Sequence, residues 1–131
     1  MKIMKKHVAV FFGGRSTEHD VSIITAHKPI IESLLATSAY EVWPVYIAKD
    51  GSWYSDQAMN DLAYFKQNGW EACLARQKKV RILFDGGLTL IWPGFLPKTV
   101  KIDLAFPAMH GTYGEDGSLM GLLRMANVPF V

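Results

Sequence analysis

His7-Val8-Ala9-Val10-Phe11-Phe12 is an almost continuous apolar run, and Gly13-Gly14 stops it. It lacks the apolar–polar alternation of a strand with one wet face. Such a run suits a strand covered on both faces, as in a parallel sheet between packed layers. Ile102-Asp103-Leu104-Ala105-Phe106-Pro107 reads as another short apolar strand, and Val128-Pro129-Phe130-Val131 as the start of one more. Between Glu18 and Leu35, apolar residues at Val21, Ile24, Ile31, Leu34 and Leu35 fit one helix face. Pro29 interrupts that face. An interior proline costs about 3 kcal/mol, so either the helix bends there or its regular part begins near Lys28.

The rest of the chain fills in around these elements. Glu41 to Ile47 is a strand whose Pro44 argues for an edge position or a bulge. Lys49-Asp50-Gly51-Ser52 is a turn, after which Trp53-Tyr54 resumes extended chain. Asp56 is placed to cap a short helix running to about Phe65, which Gln67-Asn68-Gly69 ends. Val80 to Phe84 and Leu88 to Trp92 flank Asp85-Gly86-Gly87 as a hairpin. Leu119, Met120, Leu122, Leu123 and Met125 form an amphipathic helix with Ser118 or Asp116 near its cap and Asn127 at its stop. The repeated strand–helix–strand order predicts an α/β fold: an open, mainly parallel, doubly wound sheet with helices on both faces, right-handed crossovers and a small hairpin.

Composition narrows the function. The 131 residues are 50% hydrophobic and 20% charged, which suits one globular domain and excludes a disordered tail. A net charge of +2 without a basic stripe argues against a nucleic-acid partner. The apolar run after the basic start, Val8 to Phe12, is too short for a secretory signal or a membrane span. No membrane partner is expected, and the chain reads as cytoplasmic. The single Cys73 excludes an internal disulfide and a cysteine-based zinc site. The chain stops at Val131 inside a strand, as it would at a domain edge.

Two loops stand out as candidates to carry chemistry, and each follows a buried strand: Gly13-Gly14-Arg15-Ser16-Thr17-Glu18-His19-Asp20 and His110-Gly111-Thr112-Tyr113-Gly114-Glu115-Asp116-Gly117. In an open parallel sheet, ligands bind beyond the carboxyl ends of strands, where the strand order reverses. Both loops should emerge at that edge, with Glu18 and His110 approaching one crevice if their strands are neighbours. The first loop has neither the dinucleotide glycine pattern nor the P-loop lysine, so it is a weak phosphate cradle by itself. Glu18 is either a first-turn acid favoured by the helix dipole or a counter-ion for a substrate ammonium. Glu18-His19-Asp20 does not converge as a metal site, because consecutive helical residues face apart. Glu115 and Asp116 suit the cap of the following helix. His7 and His27 read as structural or exposed.

Val8 through Ser22 closely resembles the opening of the D-alanine–D-alanine ligases, and Phe106 through Gly117 resembles that family's second signature. The continuation from Gly121-Leu122-Leu123 to Val128-Pro129-Phe130-Val131 is similar too, whereas residues 52 to 100 match loosely. The resemblance implies a Rossmann-like pre-ATP-grasp domain over residues 1–131, with the central and carboxyl-terminal ATP-grasp domains absent from this chain. It implies a ligase that phosphorylates the carboxylate of one D-alanine with ATP and Mg2+. The amine of a second D-alanine then attacks, making D-alanyl-D-alanine for peptidoglycan. Glu18 would hold the ammonium of the first D-alanine, and His110 would orient groups around the reacting carboxylates. Val21, Ser22 and Gly111 would support the pocket. ATP and magnesium would be held outside this chain, leaving it inactive alone, and the complete protein would be a homodimer. Two other readings stay open: a ligase whose second substrate is D-lactate or D-serine, and a non-catalytic α/β module binding a nucleotide or an amino acid.

Overall fold

The computed structural model describes residues 5–14, 23–24, 26–108, 118–125 and 127–130. β1 (Lys6–Gly13) lies at its centre. It pairs in parallel with β2 (Tyr40–Ile47) on one side and with β7 (Leu104–Pro107) on the other. β3 (Trp53–Tyr54) joins the outer side of β2 in antiparallel sense, giving the order β3-β2-β1-β7. Val8 to Phe12 are fully buried, as the unbroken apolar run requires. Ala105 also makes a parallel bridge to Phe130, so the Val128 segment begins a strand beside β7. These pairings are those of a mainly parallel α/β sheet.

Two cores sandwich this sheet. One face packs Val8, Val10, Phe12, Val42 and Tyr46 against Ile23, Ala26, Ile31, Met59 and Leu74, which lie on or beside short helical segments. The other packs Ala9, Phe11, Trp43, Val45 and Ala105 against a second sheet and against Leu123 of α4 (Ser118–Met125). The second sheet is antiparallel, β4 (Arg81–Phe84), β5 (Leu88–Trp92) and β6 (Lys98–Ile102) in that order. β4 and β5 are the expected hairpin, with Gly86 at φ +66° in its turn. β6 is an additional strand.

Several local expectations need correction. The single strand read across Ile102–Pro107 is two pieces in different sheets, divided at Asp103. Its carboxylate accepts the His7 N–H at 2.8 Å, and its own N–H donates to the His7 carbonyl at 2.8 Å. Those bonds satisfy the backbone while the chain crosses from β6 to β7. The first helix neither simply bends nor starts afresh at Pro29. Residues Ala26–Ile31 form a π-helical segment containing the proline, and α1 (Glu32–Leu35) follows. A π-turn loosens the i→i−4 ladder that proline obstructs, and the Ser33 hydroxyl donates to the Pro29 carbonyl at 2.7 Å. The buried face also differs from the expected one. Ile23, Ala26, His27 and Ile31 point inward, whereas Ile24 and Leu35, expected inside, are exposed.

The helix expected from Asp56 to Phe65 breaks in two. Asp56 accepts from the Ala58 N–H and caps a 3₁₀ turn, Gln57–Asn60. Asp61 is extended, and its carboxylate accepts from the Ala63 N–H at the start of α2 (Ala63–Lys66). α3 (Trp70–Ala75) follows. Pro44 fits its strand as expected of an edge: β3 pairs only with Tyr46 and Ile47, so no strand flanks β2 beside the proline among the described residues.

Candidate functional site

The carboxyl ends of β1 and β7 lie side by side. Phe11 is opposite Pro107, and the Ala108 N–H donates to the Phe11 carbonyl at 2.8 Å, one step beyond β7. On the far side of β1, the Gly14 N–H donates to the Ile47 carbonyl at 2.7 Å, just past the end of that strand. β2 lies to one side of β1 and β7 to the other, so β1 is where the strand order reverses. The crevice outside such a switch point is where open α/β sheets bind ligands. The two loops singled out by their composition therefore leave the same edge from neighbouring, parallel strands.

Glycine at position 13 is dictated by contact as much as by conformation. Its φ is +90°, and a Cβ there would overlap the Ile47 carbonyl oxygen and press on the Tyr46 ring. Gly14, at φ +100°, continues the turn. This pair lets the first loop leave β1 while the backbone stays close to the end of β2.

Glu18, Val21, Ser22, His110 and Gly111 lie outside the described residues, as do Glu115 and Asp116. What the structure places is their flanks: Gly14 before the first loop, Ile23 after it, and Ala108 before the second. One flank is tied by His27, which the sequence left as either structural or exposed. His27 is buried, and its ring nitrogens face the carbonyl oxygens of Ile23 (2.7 Å) and Met59 (2.5 Å). Phe12 and Phe65 meet the same ring edge-to-face, with centroids 5.1 and 5.4 Å away. His27 thus links the segment after the first loop to the 3₁₀ turn and to the end of β1. A histidine within the apolar pattern of a helix was the available signal.

Among the described residues no group of three His, Cys, Asp or Glu could hold a metal ion. No helix among them is long and apolar enough to cross a membrane.

The model of a family described as the D-ala D-ala ligase N-terminus matches residues 7–131. The chain belongs to this family. A D-alanine–D-alanine ligase of Chloroherpeton thalassium is 38% identical over 132 residues, a match covering 97% of this chain and 35% of that protein. One from Oceanobacillus iheyensis is 37% identical, with 98% and 35% covered. Among solved structures, the D-alanine–D-alanine ligase of Coxiella burnetii superposes with a TM-score of 0.75 at 32% identity, covering 97% of this chain and 35% of that one. The VanG D-Ala:D-Ser ligase of Enterococcus faecalis gives 0.74 at 28% identity, with 98% and 36% covered. The chain thus spans about a third of the length of these D-alanine–D-alanine ligase relatives.

Proposed function

We propose that residues 1–131 form the amino-terminal domain of an ATP-dependent ligase that joins two D-alanines into D-alanyl-D-alanine. The observation that carries this reading is the pairing of β1 with β7 at the switch point, in a chain of the D-ala D-ala ligase N-terminus family. Covalent reach supports it further. Glu18 is four residues beyond Gly14, so its Cα lies within about 14 Å of that strand end; His110, two residues beyond Ala108, lies within about 7 Å of its own. Neighbouring strands are about 4.8 Å apart. Both side chains can therefore serve one cleft.

In this reading Glu18 receives the ammonium of the first D-alanine, and His110 lines the pocket and orients the reacting carboxylates. Val21, Ser22 and Gly111 support that wall. The first substrate's carboxylate takes a phosphoryl group from ATP, the second amine attacks the acyl phosphate, and phosphate leaves. ATP, Mg2+ and the stabilisation of the transferring phosphoryl group are assigned to the ATP-grasp domains outside this chain, since such transfer depends on positioning and charge neutralisation. In this reading the complete protein works in the cytoplasm as a homodimer and supplies the dipeptide for peptidoglycan.

The test is product analysis with the complete protein, given ATP, magnesium and D-alanine, with D-serine and D-lactate offered in competition. D-alanyl-D-alanine as main product is the expected result. A mixed product with D-serine would favour the second reading that the VanG likeness supports. No ATP-dependent product with any of the three would overturn the ligase reading in favour of a binding module.

A further inference from the structure

β4 is the outer strand of the second sheet, and among the described residues no strand pairs with its far side. Its outward N–H and carbonyl groups therefore form an open edge, of the kind that templates pairing with another chain. That edge is bounded at both ends. Val80 is buried and its N–H donates to the Trp53 carbonyl at 2.8 Å, while Gly86, at φ +66°, turns the chain back into β5. Between these limits Arg81, Leu83, Phe84 and Asp85 are all exposed, Leu83 by 49% and Phe84 by 38%. Neither Arg81 nor Asp85 has an ion-pair partner among the described residues.

The edge is complementary to itself. Ile82 packs against the core between the sheets and stands opposite the buried Leu90. Alternation then puts Ile82 and Phe84 on the inner face and Arg81 and Leu83 on the outer one, with Asp85 next in that row. An antiparallel copy centred on Leu83 sets Leu83 against Leu83, Ile82 against Phe84 twice, and Arg81 against Asp85 twice. Apolar side chains thus meet apolar ones and each charge meets its opposite, which are the cross-strand pairs that stabilise a sheet. A slip of one residue would set Arg81 against Phe84 and send the side chains to the wrong faces.

We propose that β4 pairs in antiparallel sense with β4 of a second copy of this chain, about a two-fold axis at Leu83. The pairing joins the two antiparallel sheets into one and covers the open edge of both copies, as an isologous contact does. It gives the homodimer of the ligase reading its surface and rests on that part of the reading alone. Neither loop of the switch-point crevice takes part, so product analysis of the complete protein tests the chemistry separately.

Sedimentation equilibrium of the 131-residue chain over rising concentration reads the association. The expected result is a reversible monomer–dimer equilibrium. Arg81→Asp and Asp85→Arg should each weaken the dimer about tenfold, because each sets like charges opposite one another twice. Both residues are exposed, so the unfolding midpoints of the variants should match that of the parent. Mixing the two variants should restore the dimer, since one chain then carries acids at both positions and the other bases. The proposal is overturned if the parent chain stays monomeric at millimolar concentration, if the single variants dimerise like the parent, or if the mixture associates no better than either variant alone.

Discussion

The carbonyl of Phe11 accepts a hydrogen bond from the N–H of Ala108 at 2.8 Å. That bond joins the ends of two parallel strands far apart in sequence, and a loop bearing candidate substrate contacts departs just beyond each end. Position, more than any one side chain, makes this edge a candidate site.

The close approach at Gly13 leads to a first prediction. Gly13→Ala forces a Cβ against the Ile47 carbonyl at a φ that alanine resists. The variant should lose about 2–3 kcal/mol in denaturant unfolding. Gly87→Ala meets only the flexible end of Lys101 at 3.9 Å, and should stay within about 0.5 kcal/mol of the parent. Equal losses in the two would show that the contact with β2 is unimportant.

His27 is the second test. Leucine in its place fills similar space but leaves the carbonyls of Ile23 and Met59 without that partner. A loss of about 2–4 kcal/mol is expected, with faster hydrogen exchange around Ile23 and Met59. An unchanged unfolding midpoint would mean that the ring only fills space.

Asp103 makes a smaller prediction because it is exposed. Asp103→Ala removes the acceptor of the His7 N–H and should cost about 1 kcal/mol. Asp103→Asn, which keeps an acceptor oxygen, should recover most of it. Thermal unfolding of the pair decides the matter.

Tyr64 gives the pH dependence. Burial, reinforced by the negative charge of Asp56, raises its phenol above the ordinary value of 10.0, and a hydrogen bond from Gln77 pulls partly the other way. The fold therefore favours the neutral phenol. Its contribution to stability is fully present below the unfolded value near 10 and is lost as pH rises through the folded one. Ultraviolet titration should show the Tyr64 phenolate forming late, and Tyr64→Phe should remove that component. A Tyr64→Phe chain with the same titration curve per remaining tyrosine would contradict this.

Much of the fold was legible because buried strands declare themselves. Val8 to Phe12 has no wet face to alternate with, and the loops after Phe12 and Pro107 are marked by glycine and acid. The paired strands β4 and β5 were legible from Asp85-Gly86-Gly87. What was not legible depends on tertiary contact. Nothing local announces that Asp103 divides a strand by bonding to His7, nor that Pro29 is absorbed by a π-turn. The same limit explains His27, whose partners lie on two different segments. The edge of the site was readable as two glycine-rich loops; that their strands are neighbours is a property of the sheet.

The edge formed by β1 and β7 is proposed to present Glu18 to the ammonium of the first D-alanine. The most direct test is steady-state kinetics of Glu18→Gln in the complete protein, with the unfolding midpoint measured alongside. Removal of a charge-assisted contact of about 1.5–3 kcal/mol predicts a fall of about 10- to 150-fold in kcat/KM for D-alanine with the midpoint unchanged. Kinetics equal to those of the parent enzyme would contradict the account and return Glu18 to the role of a first-turn acid.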